Sequence, residues 1–303
     1  MTTKFNNLIQ LLDFFKEESA CIAYLAQKRW GDEPTCPHCG TVGAYITNRG
    51  YKCKAKECHK KFTVTAGTIY ENTKISLRYW FAAIYLATSH KKGISSLQLS
   101  RDLNITQKTA WFMLHRIRHM MANSAPHMLN GTVEVDETYV GGKTINKHKK
   151  EREERNKLGT GYVHMKPVLA MVERDGNVIA KVIDKPVGTV IKPIISEHID
   201  KSSTVVTDGH GAYYGLNYNH EIINHQKGEF ARGIFNTNSV EGFFSLLKRG
   251  IIGIYHYTSP KHLHRYCSEF AFRYNSRKQN DCARFEDAFN KIETRLTYAK
   301  LIS

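Results

Sequence analysis

Cys36-x2-Cys39, thirteen intervening residues, then Cys53-x4-Cys58 set four thiols in two close pairs near the start of the chain. Zn2+ takes four tetrahedral ligands and favours thiolate, and two short turns can each deliver two sulfurs to one ion. The spacing therefore predicts a zinc ribbon holding one structural Zn2+. Pro37, His38 and Gly40 supply a tight turn, and Tyr51-Lys52 and Lys61-Phe62 supply strand edges. Two disulfides or four buried free thiols are the alternative, and His38 and His59 are neighbouring donors that could take a cysteine's place.

Three carboxylates form a second candidate site. Asp136 sits in the strand-like run Val133 to Val140, flanked by apolar residues where a charge is costly without a partner, so it asks for a metal. Asp208 ends the apolar run Val205-Val206-Thr207, at the carboxyl edge of a strand where open α/β sheets place ligands, although Asp208-Gly209 is also a turn pair. Glu241 lies in Asn238 to Arg249, a helix whose apolar stripe is Val240, Phe243, Phe244 and Leu247. Asn238 with Glu241 three residues on also fits a capping box. Lys248 follows Glu241 by seven residues, on nearly the same helical face, with Arg249 beside it.

The rest of the chain must position these groups. Its 303 residues allow about two domains, and 44 Lys plus Arg against 28 Asp plus Glu give a formal net charge of +16. That excess points to a polyanionic partner, nucleic acid before a membrane surface. The longest apolar run, Tyr79 to Ala87, is too short to span a bilayer, and the N-terminus lacks a signal layout, so a cytosolic protein is expected. Cys21, Cys267 and Cys282 stand singly, as small core residues in a reducing compartment.

Residues 5 to 30 read as one or two amphipathic helices packed beside the ribbon, and Leu77 to Thr88 as an apolar helix. Ser95 with Gln98 begins another, Asn104-Ile105 turns, and Thr106 caps a further helix with the inner stripe Ala110, Leu114, Ile117 and Met121. This is a helix-turn-helix pattern that leaves Gln107, Lys108, Trp111, His115 and Arg118 facing outward for DNA; an ordinary helical hairpin with a solvated basic face is the alternative. After Pro126 come three strands, Thr132 to Val140, Val163 to Val172 and Val178 to Ile183, the last two joined by a hairpin turn at 174–177. A helix over Val187 to Ile199 and short strands at 204–207 and 221–224 follow. An antiparallel meander followed by alternating helix and strand is the order of a ribonuclease-H-like α/β domain. The run Lys147 to Arg152 reads as a charged insert. Ser259-Pro260 opens a basic helix carrying His262, His264, Arg265, Arg273, Tyr274, Arg277 and Lys278, suited to DNA backbone or simply solvated. Phe285 to Leu296 reads as a closing helix.

Together these motifs resemble insertion-sequence transposases of the DDE class, in the group with an N-terminal zinc ribbon and a catalytic domain related to the eukaryotic Merlin elements. The resemblance covers nearly the whole chain. It rests on the four cysteines, on Val135-Asp136-Glu137-Thr138-Tyr139-Val140-Gly141-Gly142, on Thr207-Asp208-Gly209 with Ala212-Tyr213, and on Asn238 to Gly250. It implies that Asp136, Asp208 and Glu241 are a catalytic triad binding two Mg2+ or Mn2+, with Lys248 on a phosphate; some relatives carry asparagine third, which keeps Asn238 in reserve. It also implies binding of transposon ends and target DNA as a homodimer or larger assembly, in a bacterial cytoplasm and on the nucleoid. The expected division is N-terminal helices 1–30, zinc ribbon 31–68, helix-turn-helix region 69–125, catalytic domain 126–258 and C-terminal helices 259–303. A DNA-binding regulator that has lost catalysis, or another ribonuclease-H-like nuclease, are the other readings.

Overall fold

The computed structural model describes residues 5–122, 126, 128–142, 153 and 165–303; the charged insert Lys147 to Arg152 lies outside the described residues. The chain forms two compact units, Met1–Asn123 with Gln279–Ser303, and Ser124–Lys278, so the segment after residue 258 divides between them.

In the first unit, α1 (Leu8–Phe14) is capped by Asn7, whose Oδ1 accepts the Gln10 N–H at 2.9 Å. α2 (Glu18–Trp30) ends at Gly31, whose φ of +62° suits a residue without Cβ. Strands β1 (Ala44–Thr47), β2 (Gly50–Cys53) and β3 (Lys61–Phe62) form the antiparallel ribbon. Helices α3 (Leu77–Ser89), α4 (Ser96–Asp102) and α5 (Gln107–Ala122) follow. As the sequence predicts, Ser95 Oγ accepts the Gln98 N–H at 3.0 Å, Asn104 turns the chain at φ +49°, and Thr106 Oγ1 accepts the Thr109 N–H at 3.3 Å. One expectation for α5 is corrected. His115 and Arg118 are 0% and 2% exposed, so the outward face is reduced to Gln107, Lys108 and half-buried Trp111. A period count cannot see that α5 is enclosed on more than one side.

The second unit is built on one five-stranded sheet: β4 (Thr132–Val140), β5 (Lys166–Glu173), β6 (Val178–Val182), β7 (Thr204–Asp208) and β8 (Asn219–Ile223), in the order β6-β5-β4-β7-β8. β4, β5 and β6 are antiparallel neighbours, and β7 and β8 continue from β4 in parallel. Side chains alternate across a strand. Val133, Val135, Leu169, Met171 and Val205 therefore pack on one face with α6 (Gly188–His198), while Val168, Ala170 and Val172 pack on the other with α7 (Asn238–Gly250) and α8 (Leu263–Asn275). Gly250 lets α7 and α8 meet, since a Cβ there would fall 1.9 Å from Phe270 Cζ. The basic helix expected after Pro260 is corrected. Arg265 and Arg273 are buried, Arg273 pairs with Glu269 at 2.6 Å, and Arg277 and Lys278 donate to the Gly176 and Asp175 carbonyls of the β5–β6 turn, so these cations serve packing.

The chain then returns to the first unit with α9 (Asp281–Phe289) and α10 (Tyr298–Ile302). The expected closing helix over 285–296 stops at Phe289, and Ile292 accepts from the Ile69 N–H at 3.0 Å instead of continuing it. Buried Arg116 donates to the Leu296 and Ile69 carbonyls at 3.0 and 2.9 Å. Phe5, Phe15, Tyr24, Phe81, Phe285 and Phe289 make an edge-to-face aromatic core, so α1 and α2 pack on α3 and α9; from α2, Trp30 packs against Tyr51 and Phe62 of the ribbon. No helix among the described residues is long and apolar enough to cross a membrane.

Candidate active site and metal centre

The parallel register of β4 and β7 runs Thr132↔Thr204 through Val135↔Thr207. Asp136 and Asp208 are the next residues on these two strands. Both share the sheet parity of Glu134, which meets α7, and not that of Val135, which meets α6. The first turn of α7 carries Glu241 over the same face. Three carboxylates separated by 72 and 33 positions in sequence are thus brought to one sheet face, level with the carboxyl end of β7. Burial, followed by the charge of Asp208, pushes the Asp136 carboxyl up to about 7, and Glu137 and Glu241 add to the effect.

Asp208 Oδ1 accepts the His210 N–H at 3.0 Å, so it does shape its turn. The capping-box reading of Glu241 is overturned. The residue before α7 is Thr237, Asn238 is already helical, and Thr237 Oγ1 donates to Glu241 Oε1 at 3.1 Å. His225 Nε2 lies 3.1 Å from Thr237 Oγ1 and 3.9 Å from Glu241 Oε1.

The group that anchors α7 is Glu134, which the motif reading passed over. It is fully buried, and its carboxylate accepts the Ser239 and Val240 N–H groups at 2.7 and 3.1 Å, Ser239 Oγ at 2.9 Å and Arg174 Nη2 at 2.9 Å. A carboxylate suits the positive end of a helix, and these are N–H groups no helical carbonyl can reach. Glu137, on the opposite sheet face, accepts a hydrogen bond from Tyr213 and has His210 Nδ1 at 3.5 Å, tying the second half of β4 to the loop that follows Asp208. The signal for both was a glutamate inside an apolar strand. Lys248 and Arg249 are exposed on α7, Arg249 Nε bonding the Ser245 carbonyl at 3.1 Å. In the first unit, Gln107 donates to Ser96 Oγ at 2.8 Å and Lys108 stands over the Tyr298 ring at 5.3 Å.

The raised Asp136 carboxyl gives a pH signature. Its folded value of about 7 lies above the ordinary value near 3.9, so the folded state holds this proton more tightly than the unfolded chain. Ionising Asp136 therefore costs stability that accumulates from about pH 4 to 7 and is constant above that window. Without added Mg2+ or Mn2+, the melting temperature of Asp136→Asn should exceed that of wild type by a margin that grows from about pH 4 to 7, stays level above that, and shrinks when Mg2+ is added. A margin independent of pH would mean Asp136 is not perturbed. Hard oxygen donors around a carboxyl that resists ionisation fit Mg2+ or Mn2+.

The cysteine site is tighter. The Sγ atoms of Cys36, Cys39, Cys53 and Cys58 all lie within 4.8 Å of one another, with Cys36–Cys58 at 3.9 Å and Cys39–Cys53 at 3.5 Å. Disulfide sulfurs stand at about 2.05 Å, whereas Zn–S bonds of about 2.3 Å in a tetrahedron put sulfurs about 3.8 Å apart. The arrangement supports a structural zinc and removes the disulfide reading; His38 and His59 are exposed and outside the group. Purified protein should hold about one Zn2+ per chain by elemental analysis, and Cys36→Ser/Cys39→Ser should lose it together with the ribbon's fold. Zinc retained in that variant would place the ligands elsewhere.

A meander extended by two parallel strands, with one acid in the middle of β4, a second at the end of the adjacent β7 and a third on the covering helix, defines a ribonuclease-H-like domain of the DDE transposase class. Residues 128–275 match the ISXO2-like transposase domain, and residues 16–61 the transposase zinc-ribbon domain. A Halobacterium salinarum protein described as an uncharacterized protein in transposable element ISH50 is 30% identical over 251 residues, covering 78% of this chain and 83% of that one. The chain belongs to this family of insertion-sequence transposases. A simian T-cell lymphotropic virus intasome structure, in complex with PP2A regulatory subunit B56 gamma, aligns at 14% identity with a TM-score of 0.28. That alignment covers 57% of this chain and 63% of that one, too distant a likeness to bear on the fold.

Proposed function

We propose that this protein binds the terminal inverted repeats of an insertion sequence and catalyses metal-dependent DNA strand cleavage and strand transfer. The observation that carries the reading is the convergence of Asp136, Asp208 and Glu241 on one sheet face, with Asp136 held at about 7 by burial and by its neighbours. Asp136, Asp208 and Glu241 would hold the Mg2+ or Mn2+ ions. When bound, such ions activate the attacking oxygen and offset charge on the leaving oxygen of an in-line phosphoryl transfer. The chain's own groups do the positioning. Glu134 fixes the start of α7, Thr237 and His225 orient the Glu241 carboxylate, and Lys248 and Arg249, exposed on the same helix, hold backbone phosphates.

The ribbon and α4–α5 recognise the transposon end, with Gln107 and Lys108 at the DNA, and the chain works as a dimer or larger assembly on it. A net charge of +16 predicts steep salt dependence, because each neutralised phosphate releases counterions. The test is a labelled duplex carrying the inverted repeat that flanks the gene. Binding tighter than to a scrambled duplex at every salt concentration, and cleavage and joining that need Mg2+ or Mn2+, are expected. Specific binding without cleavage would leave a regulator, and cleavage without end preference a general nuclease.

A further inference from the structure

Between β8 and α7 the chain makes a hairpin whose tip is apolar and exposed. Arg232 and Phe235 exchange both backbone hydrogen bonds at 2.8 and 3.0 Å around Gly233, whose φ is +59°. Phe230 and Ile234 are each 70% exposed there. The hairpin is well tethered. Arg174, the same guanidinium that pairs with Glu134, donates to the Ile234 carbonyl at 2.6 Å and the Asn236 carbonyl at 3.4 Å, and Glu229 accepts the Asn224 N–H at 3.2 Å. It also stands at the acids, because the Phe230 ring lies 5.7 Å from the His225 ring, and His225 Nε2 is 3.9 Å from Glu241 Oε1.

An aromatic and a β-branched side chain are held open to water beside a charged site, on a hydrogen-bonded tether, where a ligand could cover them. The chemistry of the tip selects that ligand. Its one cation, Arg232, is engaged by Glu229 at 2.8 and 3.0 Å and has Glu221 at 3.6 Å, so the tip offers apolar area and not charge to a ligand. Phosphates are therefore not what it fits. Nucleobases are, since every base has a face on which an aromatic ring can stack, and apolar side chains enter DNA by parting base steps. Base faces inside a duplex are covered by their neighbours. We infer that Phe230 and Ile234 form a wedge that inserts beside the scissile phosphate and opens the adjoining base pairs of the DNA end. This rests on the proposed function for the substrate, and adds to it that the substrate is unpaired locally before it is cut.

The test uses the full-length protein and two labelled end duplexes, one fully paired and one with the two base pairs beside the scissile phosphate replaced by mismatches, each with 2-aminopurine at the adjoining base. Wild type should raise the 2-aminopurine fluorescence of the paired duplex on binding and cleave both duplexes. Phe230→Ala, whose exposed side chain can be removed without loss of melting temperature, should leave that fluorescence low and cut the paired duplex about tenfold more slowly, while matching wild type on the mismatched one. Phe230→Trp, which keeps a stacking face, should behave as wild type. Equal slowing on both duplexes, no slowing on either, or an undiminished fluorescence rise with Phe230→Ala would each overturn the wedge. So would a variant whose only change is loss of concentration-dependent self-association in sedimentation, which would make the tip a contact between copies. Should wild type cleave neither duplex, the proposed function fails, and the fluorescence rise with its dependence on Phe230 still decides the wedge.

Discussion

Asp136→Asn, Asp208→Asn and Glu241→Gln should each slow strand cleavage by about three orders of magnitude or more, close to 4 kcal/mol of lost transition-state stabilisation, while leaving binding of the DNA end nearly intact. Each removes a carboxylate charge from the shared face but keeps the local hydrogen bonds that shape permits. Asparagine at 208 can still accept the His210 N–H, and glutamine at 241 can still accept from Thr237 Oγ1. That separation makes the test sharp. Were Asp208 only a turn residue, or Glu241 only a partner for Thr237, substitution would cost about 0.5–2 kcal/mol of stability and leave turnover in the folded fraction unchanged. Cleavage of a labelled end duplex, measured beside the melting temperature and across Mg2+ concentration, distinguishes the two. An active Glu241→Gln beside a dead Asn238→Ala would move the third ligand to Asn238, which occupies the first turn of the same helix.

Removing Glu134 should cost the catalytic unit as much stability as the loss of a core side chain. Glu134→Ala leaves the Ser239 and Val240 N–H groups without their acceptor and strips Arg174 of its carboxylate partner. Breaking a buried ion pair from one side costs about 3–5 kcal/mol, and the 25% exposure of the Arg174 side chain places this case near the lower figure, because water reaches the orphaned guanidinium. A loss of about 3 kcal/mol in a unit of this size lowers the melting temperature by roughly 6–12 °C. Glu134→Gln, which keeps an acceptor for the helix N–H groups but not the charge, should fall between. Melting followed by circular dichroism checks the order. A Glu134→Ala protein as stable as wild type would mean that packing of Phe243 and Leu247 alone seats α7. Because those bonds also seat the first turn of α7, which carries Glu241, cleavage in the folded fraction should fall too.

Covalent spacing and period settled much of this protein. Cys36-x2-Cys39 and Cys53-x4-Cys58 announce a tetrahedral thiolate site because chain geometry between the paired cysteines is short and constrained, and the sulfurs do converge. Strand β4 was legible to the residue, Thr132 to Val140, since alternation across a sheet is written in the local sequence. The stripe Val240, Phe243, Phe244 and Leu247 likewise identified α7, and all four are buried. Asp136, Asp208 and Glu241 were visible as candidates, but Asp208 and Glu241 each had a local alternative, a turn and a helix cap. Only the parallel register of β4 with β7 and the seating of α7 on the same face put them together, because strand pairing is a relation between segments some seventy residues apart. Tertiary structure also reversed readings that local pattern favours. Arg118, Arg265 and Arg273 look like a DNA-facing surface by helical period, yet they are buried, since a period fixes which residues share a face and not what covers it. Glu134 is the converse. A glutamate among valines reads as a solvent-facing strand position, and only the arrival of the α7 N-terminus and Arg174 supplies the N–H groups and the charge that let a carboxylate sit there without water.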